Sequence, residues 1–152
     1  MGETWSSAIT ATRHCLTGCA IGEILGMVLA TWWAWGNGAT VALSIVLAFA
    51  FGYALTYSGL RRMGADSRTA FRAALASDTV SIGTMEIVDN LFILVVPGAM
   101  AAGLDSTLFW WSLAVSLAVA FVAAVPVNRW LIQRGKGHAV VHSFHEGHAR
   151  QH

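Results

Sequence analysis

The chain has 152 residues, of which 56% are hydrophobic and 11% are charged, and its mean hydropathy is +0.60. A soluble domain typically carries about a quarter charged residues, so this composition predicts an integral membrane protein in contact with a lipid bilayer. The formal net charge of +1 argues against nucleic acid as a partner, because no basic face remains once the arginines are assigned to membrane flanks.

Four segments are long enough to cross a hydrocarbon core of about 30 Å, which takes about 20 residues of helix. Turn residues 36–38 end the first segment, a charged turn at 61–66 ends the second, and Pro97 and Gly98 end the third. We therefore predict an all-α membrane protein whose four transmembrane helices pack as a bundle. The predicted spans are residues 15–35, 39–57, 71–96 and 108–127, within a transmembrane domain of residues 15–134.

The cations predict an orientation. Arg61, Arg62, Arg68 and Arg72 surround the second connection, further cations follow the last span, and the other two connections have no Lys or Arg. By the positive-inside rule, both termini are cytoplasmic and the protein is a multi-pass protein of the cell inner membrane. The N-terminal segment 1–14 and a His-rich tail at 135–152 would then be cytoplasmic.

The first span has a polar stripe beside a glycine ridge. Cys15, Cys19 and Glu23 follow one another at i, i+4 and i+8, and His14 lies beside them. Next to this stripe, small residues recur every fourth position in a pattern that lets another helix approach closely. These helix-packing residues are Gly18, Gly22 and Gly26. The ridge also offers a surface for self-association, so we expect a homo-oligomer. Cysteines can also serve as small hydrophobic packing residues.

The third span carries three acids on one side. Asp78, Met85 and Asp89 fall within about 40° of one another on a helix, and Glu86 lies about 60° from Asp89. Counting from the cytoplasmic face places Asp78 near the level of Cys19 and Glu23, with the other two acids deeper. A buried carboxylate must be protonated, paired or bound to a metal ion. Neutral acids that hydrogen-bond between helices as structural glue are the alternative.

The tail repeats histidine at steps of three or four residues. His138 and His142 are the best candidates for metal ligands, because two imidazoles one helical turn apart can bind one ion. The apolar residues between them also suggest a docked segment. The later histidines are equally compatible with a polar disordered end.

Three strings of the chain are similar to a known family. HCLTGCAIGE, ASDTVSIGTMEIVDN and PVNRWLIQRGKGHAVVH resemble the bacterial membrane family of domain of unknown function 4396. The resemblance supports the four-helix reading and covers the chain from His14 to about His142. It implies no activity, so the chemistry has to come from the residues.

The residues favour a transition-metal-binding protein that transports or handles Cu, Zn or Fe. Thiolate, imidazole and carboxylate are the side-chain classes that bind such ions. The predicted metal ligands are His14, Cys15, Cys19, Glu23, Asp78, Glu86, Asp89, His138 and His142. A proton-coupled carrier or channel that uses the acids without a metal is the second possibility. An intramembrane metalloenzyme ranks third, because no paired Glu-x-x-His motif occurs, and an enzyme is therefore less expected than a carrier.

Overall fold

A computed structural model describes residues 2–134, and its side-chain contacts cover residues 5–134. The regular secondary structure of these residues is all helical, with no strand among them. Four long α-helices and one short 3-10 helix follow one another as α1 (Gly2–Trp32), α2 (Asn37–Arg62), α3 (Ser67–Val95), η1 (Ala99–Ala101) and α4 (Thr107–Gln133). The all-α prediction is confirmed.

The helices extend past the predicted apolar segments. α1 begins at Gly2, not near residue 15, and ends at Trp32. Its early residues Ala8, Ala11 and Thr12 are buried, so helix packing stabilises a stretch that hydropathy alone does not mark. α4 likewise continues through Pro126 to Gln133.

Three of the described helices are long and apolar enough to cross a membrane, which supports the assignment as a membrane protein. They are Trp5–Trp32, Asn37–Arg62 and Thr107–Gln133. α3 is as long, at 29 residues, but it contains the three acids and two arginines. Length and composition therefore identify three membrane spans directly. The fourth predicted span depends on whether α3 also crosses the membrane.

The four helices form an up-and-down bundle. α1 and α3 each pack against both α2 and α4, and the parallel pair α1 and α3 face each other across the core. We call the end formed by connections 33–36 and 96–106 the distal end. We call the opposite end the arginine end; it contains connection 63–66 and both ends of the described chain.

The glycine ridge of α1 packs against α2 of the same chain. A Cβ atom at Gly18 would lie 2.7 Å from the Gly52 Cα, and one at Gly22 or Gly26 would overlap Ala48 or Ser44. The ridge is therefore occupied within the chain, so it does not supply the self-association surface from which we expected a homo-oligomer.

The turn between α2 and α3 is formed by local hydrogen bonds. Gly64 adopts a φ of +94°, a conformation that glycine tolerates best. Asp66 then caps α3 by accepting a hydrogen bond from the Thr69 backbone at 3.2 Å. Hydrogen bonds from Thr69 hold the pKa of the exposed Asp66 carboxyl below its ordinary value.

Candidate functional site

Three of the predicted acids meet in the core of the bundle. α1 contributes Glu23 and α3 contributes Glu86 and Asp89, and the three side chains are only 8%, 5% and 4% exposed. The Glu23 carboxyl faces that of Asp89 and lies near that of Glu86. We call these three residues the acid cluster. Their convergence from two diagonal helices makes it a single site.

Each residue of the acid cluster has one buried carboxylate oxygen without a hydrogen-bond donor among the described residues. Glu23 Oε2, Glu86 Oε1 and Asp89 Oδ1 are buried and have no hydrogen-bond partner among residues 5–134. Asn90 donates to the other Glu86 oxygen, Oε2, at 3.4 Å. Carboxylates that face each other without donors repel when ionised, so the cluster needs protons or a bound cation.

A cavity of about 420 Å³ leads from the distal end to the acid cluster. Trp35, Asn37 and Met100 line it near the connections, and all three acids line its inner part. Its volume falls within the range of about 300–1,000 Å³ that is typical of small-ligand sites. An ion at the distal end therefore has a direct approach to the carboxylates.

A pair of sulfur atoms lies one helical turn beyond the acid cluster. The Cys19 thiol donates to the Met85 thioether at 3.9 Å, and both residues are 1% exposed. Cys19 also lies close to Glu86, which connects the sulfur pair to the acid cluster. Ile82, Ala120 and Ala124 complete the surrounding apolar core.

Asp78 pairs with Cys15 rather than with Cys19 or Glu23. The Cys15 thiol donates to Asp78 Oδ1 at 3.7 Å, and the Ser77 hydroxyl donates to the same oxygen at 3.1 Å. The predicted level of Asp78 was therefore wrong by about one turn of α1 relative to Cys19 and about two turns relative to Glu23. Asp78 does not belong to the acid cluster.

An amide joins three helices at the arginine side of this row. Asn128 Nδ2 on α4 donates to Thr12 Oγ1 at 2.8 Å and to Ser81 Oγ at 2.9 Å. All three residues are buried. These bonds tie α1, α3 and α4 together just beyond Cys15.

The polar groups form a row along the core. Successive turns of α1 present Glu23, Cys19, Cys15 and Thr12, which rise together by about 16 Å at 1.5 Å per residue. The row begins at the cavity and ends at the Asn128 amide. A row of this kind crosses about half of a hydrocarbon core of about 30 Å.

The predicted histidine ligands do not join this row. His14 is exposed, and its Nδ1 contacts the Thr10 carbonyl at 2.9 Å within the same helix. His138 and His142 lie outside the described residues. Cys15 and Cys19 are both free thiols.

Within residues 2–134, no three His, Cys, Asp or Glu side chains are grouped so that they could hold a metal ion as they stand. The predicted ligands instead form the acid cluster and the separate pair of Cys15 and Asp78. Any metal ion would therefore need small side-chain movements or ligands of another type. Met85 is one such ligand, since its sulfur touches Cys19.

Sequence reasoning placed Met85 on the inward face but gave it no role. Its position on the same side of α3 as Asp78 and Asp89 was the available signal. The contacts of Asn128 with Thr12 and Ser81 had no such signal, because residues 116 and 47 positions apart have no periodic relation.

A sequence model of one protein family matches residues 4–137. That family is described as Domain of unknown function (DUF4396), so the resemblance predicted from the three strings is confirmed. No curated protein and no solved structure matches the chain.

Proposed function

The chain belongs to this family, and because the family's description assigns no activity, we propose a function from the geometry: a membrane protein that binds and handles a transition metal ion. The observation that carries the proposal is the acid cluster. Three of its buried carboxyl oxygens lack hydrogen-bond partners in the described chain, and its residues line a cavity that leads in from the distal end. Such a site attracts a cation and compensates for its lost hydration with carboxylate ligands.

Two further features support a bundle that crosses the membrane with all four helices. The outward side of α3 is apolar and exposed, with Val80, Ile87, Leu91, Leu94 and Val95, whereas its acids point inward. Tryptophans are exposed near both ends of α1, at Trp5 and Trp32. These rings are about 40 Å apart at 1.5 Å per residue, close to the full thickness of about 40–45 Å of a bilayer with its headgroups.

In this proposal the arginine end is cytoplasmic and the distal end faces the outside of the cell inner membrane. Arg61 and Arg62 end α2 at that side. Arg129 stacks over Trp5 at 4.1 Å and Arg134 over Trp130 at 4.9 Å, an arrangement suited to an interface rich in headgroups. The metal ion would then enter from outside and reach the acids through the cavity.

A proton-coupled carrier without a metal is the second candidate. It is favoured because, among the described residues, no three His, Cys, Asp or Glu side chains are already arranged to bind one metal ion. Protons on the acid cluster would remove the repulsion equally well. A metalloenzyme of the di-metal bundle type is less well supported, because such centres take carboxylates from all four helices, whereas here only α1 and α3 contribute.

Amide replacements of the acid cluster test the proposal. The full-length chain, purified without added histidines or chelator, is reconstituted in liposomes and assayed for bound metal and for uptake of Zn²⁺, Fe²⁺ and Cu(I). Glu23→Gln, Glu86→Gln and Asp89→Asn should each lower metal affinity by about tenfold or more, because an amide keeps the shape but loses the charge. Asp105→Asn is the matched control, since Asp105 is an exposed acid at the same end.

The variants also distinguish the two candidates. Full metal binding and uptake in all three acid variants would refute the proposal. Metal-independent proton flux that disappears in Glu86→Gln would instead establish the proton carrier.

A further inference from the structure

We propose that Cys19 and Met85, with Cys15 one turn away, form a sulfur site for a soft monovalent metal ion, of which Cu(I) is the biological representative and Ag(I) a probe. This inference rests on the proposed function and names the class of ion that the protein would select beyond the acid cluster. The thiol and thioether touch at 3.9 Å in the core, directly beyond the acids. The Cys19 sulfur also lies within hydrogen-bonding reach of Glu86, so it connects the sulfur pair to the acid cluster.

The sulfur spacing fits one bridging ion. A metal–thiolate bond is about 2.3 Å long, so two sulfurs on one ion are at most about 4.6 Å apart. At 3.9 Å the sulfur–metal–sulfur angle would be about 115°, between trigonal and tetrahedral values, without movement of either helix. A third position would fall to Cys15 if its thiol released Asp78 Oδ1, since Cys15 precedes Cys19 by one turn on α1 and shares the same buried cluster.

Ligand type selects a soft ion. Thiolate and thioether together favour Cu(I), whereas harder ions such as Fe(II) and Mn(II) prefer oxygen and nitrogen. The neighbours Ile82, Ala120 and Ala124 are apolar and cannot hold the bound waters that hard ions retain. The acid cluster can attract any cation, so discrimination would take place at the sulfurs.

Charge selects a monovalent ion. When the ion binds, the Cys19 S–H bond breaks, a sulfur–metal bond forms, and the proton passes to the carboxylate of Glu86, which lies beside Cys19 and lines the cavity. A monovalent ion and one thiolate are together neutral, as was the thiol that they replace. A divalent ion at the same pair would leave one positive charge at this buried position, which is costly unless the Glu86 carboxyl beside Cys19 ionises to balance it.

The test measures Cu(I) binding by the full-length protein in detergent, with Cu(I) delivered from a chromophoric competing chelator, and repeats the titration with Ag(I). Met85→Leu is the central variant, because leucine conserves volume and removes only the sulfur. Met63→Leu is the matched control, since Met63 packs with Leu60 and Ala65 at the arginine end. We expect one Cu(I) per chain with sulfur neighbours in X-ray absorption, and at least about tenfold weaker binding with one sulfur fewer in Met85→Leu.

Cys19→Ser should abolish the sulfur-coordinated Cu(I), and Met85→Leu carries the test if the serine variant fails to fold. Unchanged Cu(I) affinity in Met85→Leu, or an oxygen and nitrogen shell in the unmodified protein, would overturn the sulfur site. If Zn²⁺ or Fe²⁺ binding still depends on Glu86 in that case, the sulfur site fails and the proposed function stands. If no metal ion binds at all, the proposed function fails with it.

Discussion

Replacement of Gly22 by alanine should force α1 and α2 apart. The added Cβ would lie 2.7 Å from the Leu47 carbonyl carbon and still closer to the Ala48 backbone, whereas ordinary Cβ contacts begin near 3.4 Å. Because the Ala48 Cα would lie only 2.5 Å from the added Cβ, the helices must separate by about 0.9 Å or more at this point. Backbone atoms cannot rotate away as a side chain can, so local relaxation offers little relief.

The cost follows from the packing that this separation removes. Helix association in lipid depends on close packing, and a gap of about 0.5–1 Å already forfeits a quarter to a half of each dispersion contact. Overpacking by one methyl typically costs about 1–3 kcal/mol. We expect Gly22→Ala to lower the free energy of unfolding by about 2 kcal/mol. It should also weaken metal binding, because the adjacent Glu23 moves away from its partners on α3.

The assay is unfolding by a denaturing detergent in mixed micelles, followed by fluorescence of the seven tryptophans. Gly83→Ala is the matched control, because it lies inside α3 with nothing within 4 Å of the added methyl. That control should lose no stability, since alanine favours the helix. If Gly22→Ala proved as stable as Gly83→Ala, the close approach of α1 and α2 would be wrong.

Two further predictions concern orientation and the amide between helices. For the orientation, both native cysteines are replaced by serine and single cysteines are introduced at exposed positions. Cysteines at Asn37 and Thr107 should react with an impermeant maleimide in intact cells, and one at Ser67 should not. The reverse pattern would show that the bundle has the opposite orientation in the membrane. Asn128→Ala should reduce the free energy of unfolding by about 1–3 kcal/mol through two lost hydrogen bonds between helices, measured in the same denaturing-detergent assay. Asn90→Ala, whose amide bonds only within α3, should cost less; equal losses would contradict a structural role for the Asn128 amide.

The sequence alone determined the helical class and the inward faces. Apolar length and turn residues such as Pro97 mark the segments, because a chain in lipid must satisfy its backbone hydrogen bonds within each helix. Helical periodicity then placed Cys15, Cys19 and Glu23 on one stripe, and in the structure all three are buried. These features are local, so a single segment contains enough information to predict them.

The tertiary structure decided which residues meet. Three contacts depend on the axial register of α1 against α3. They are the pairing of Asp78 with Cys15, the convergence of Glu23 with Asp89 and the contact of Cys19 with Met85. Periodicity fixes the face of a helix but not its height against a neighbour. In lipid, many registers bury similar apolar surface, and close contacts such as Gly22 against α2 choose between them.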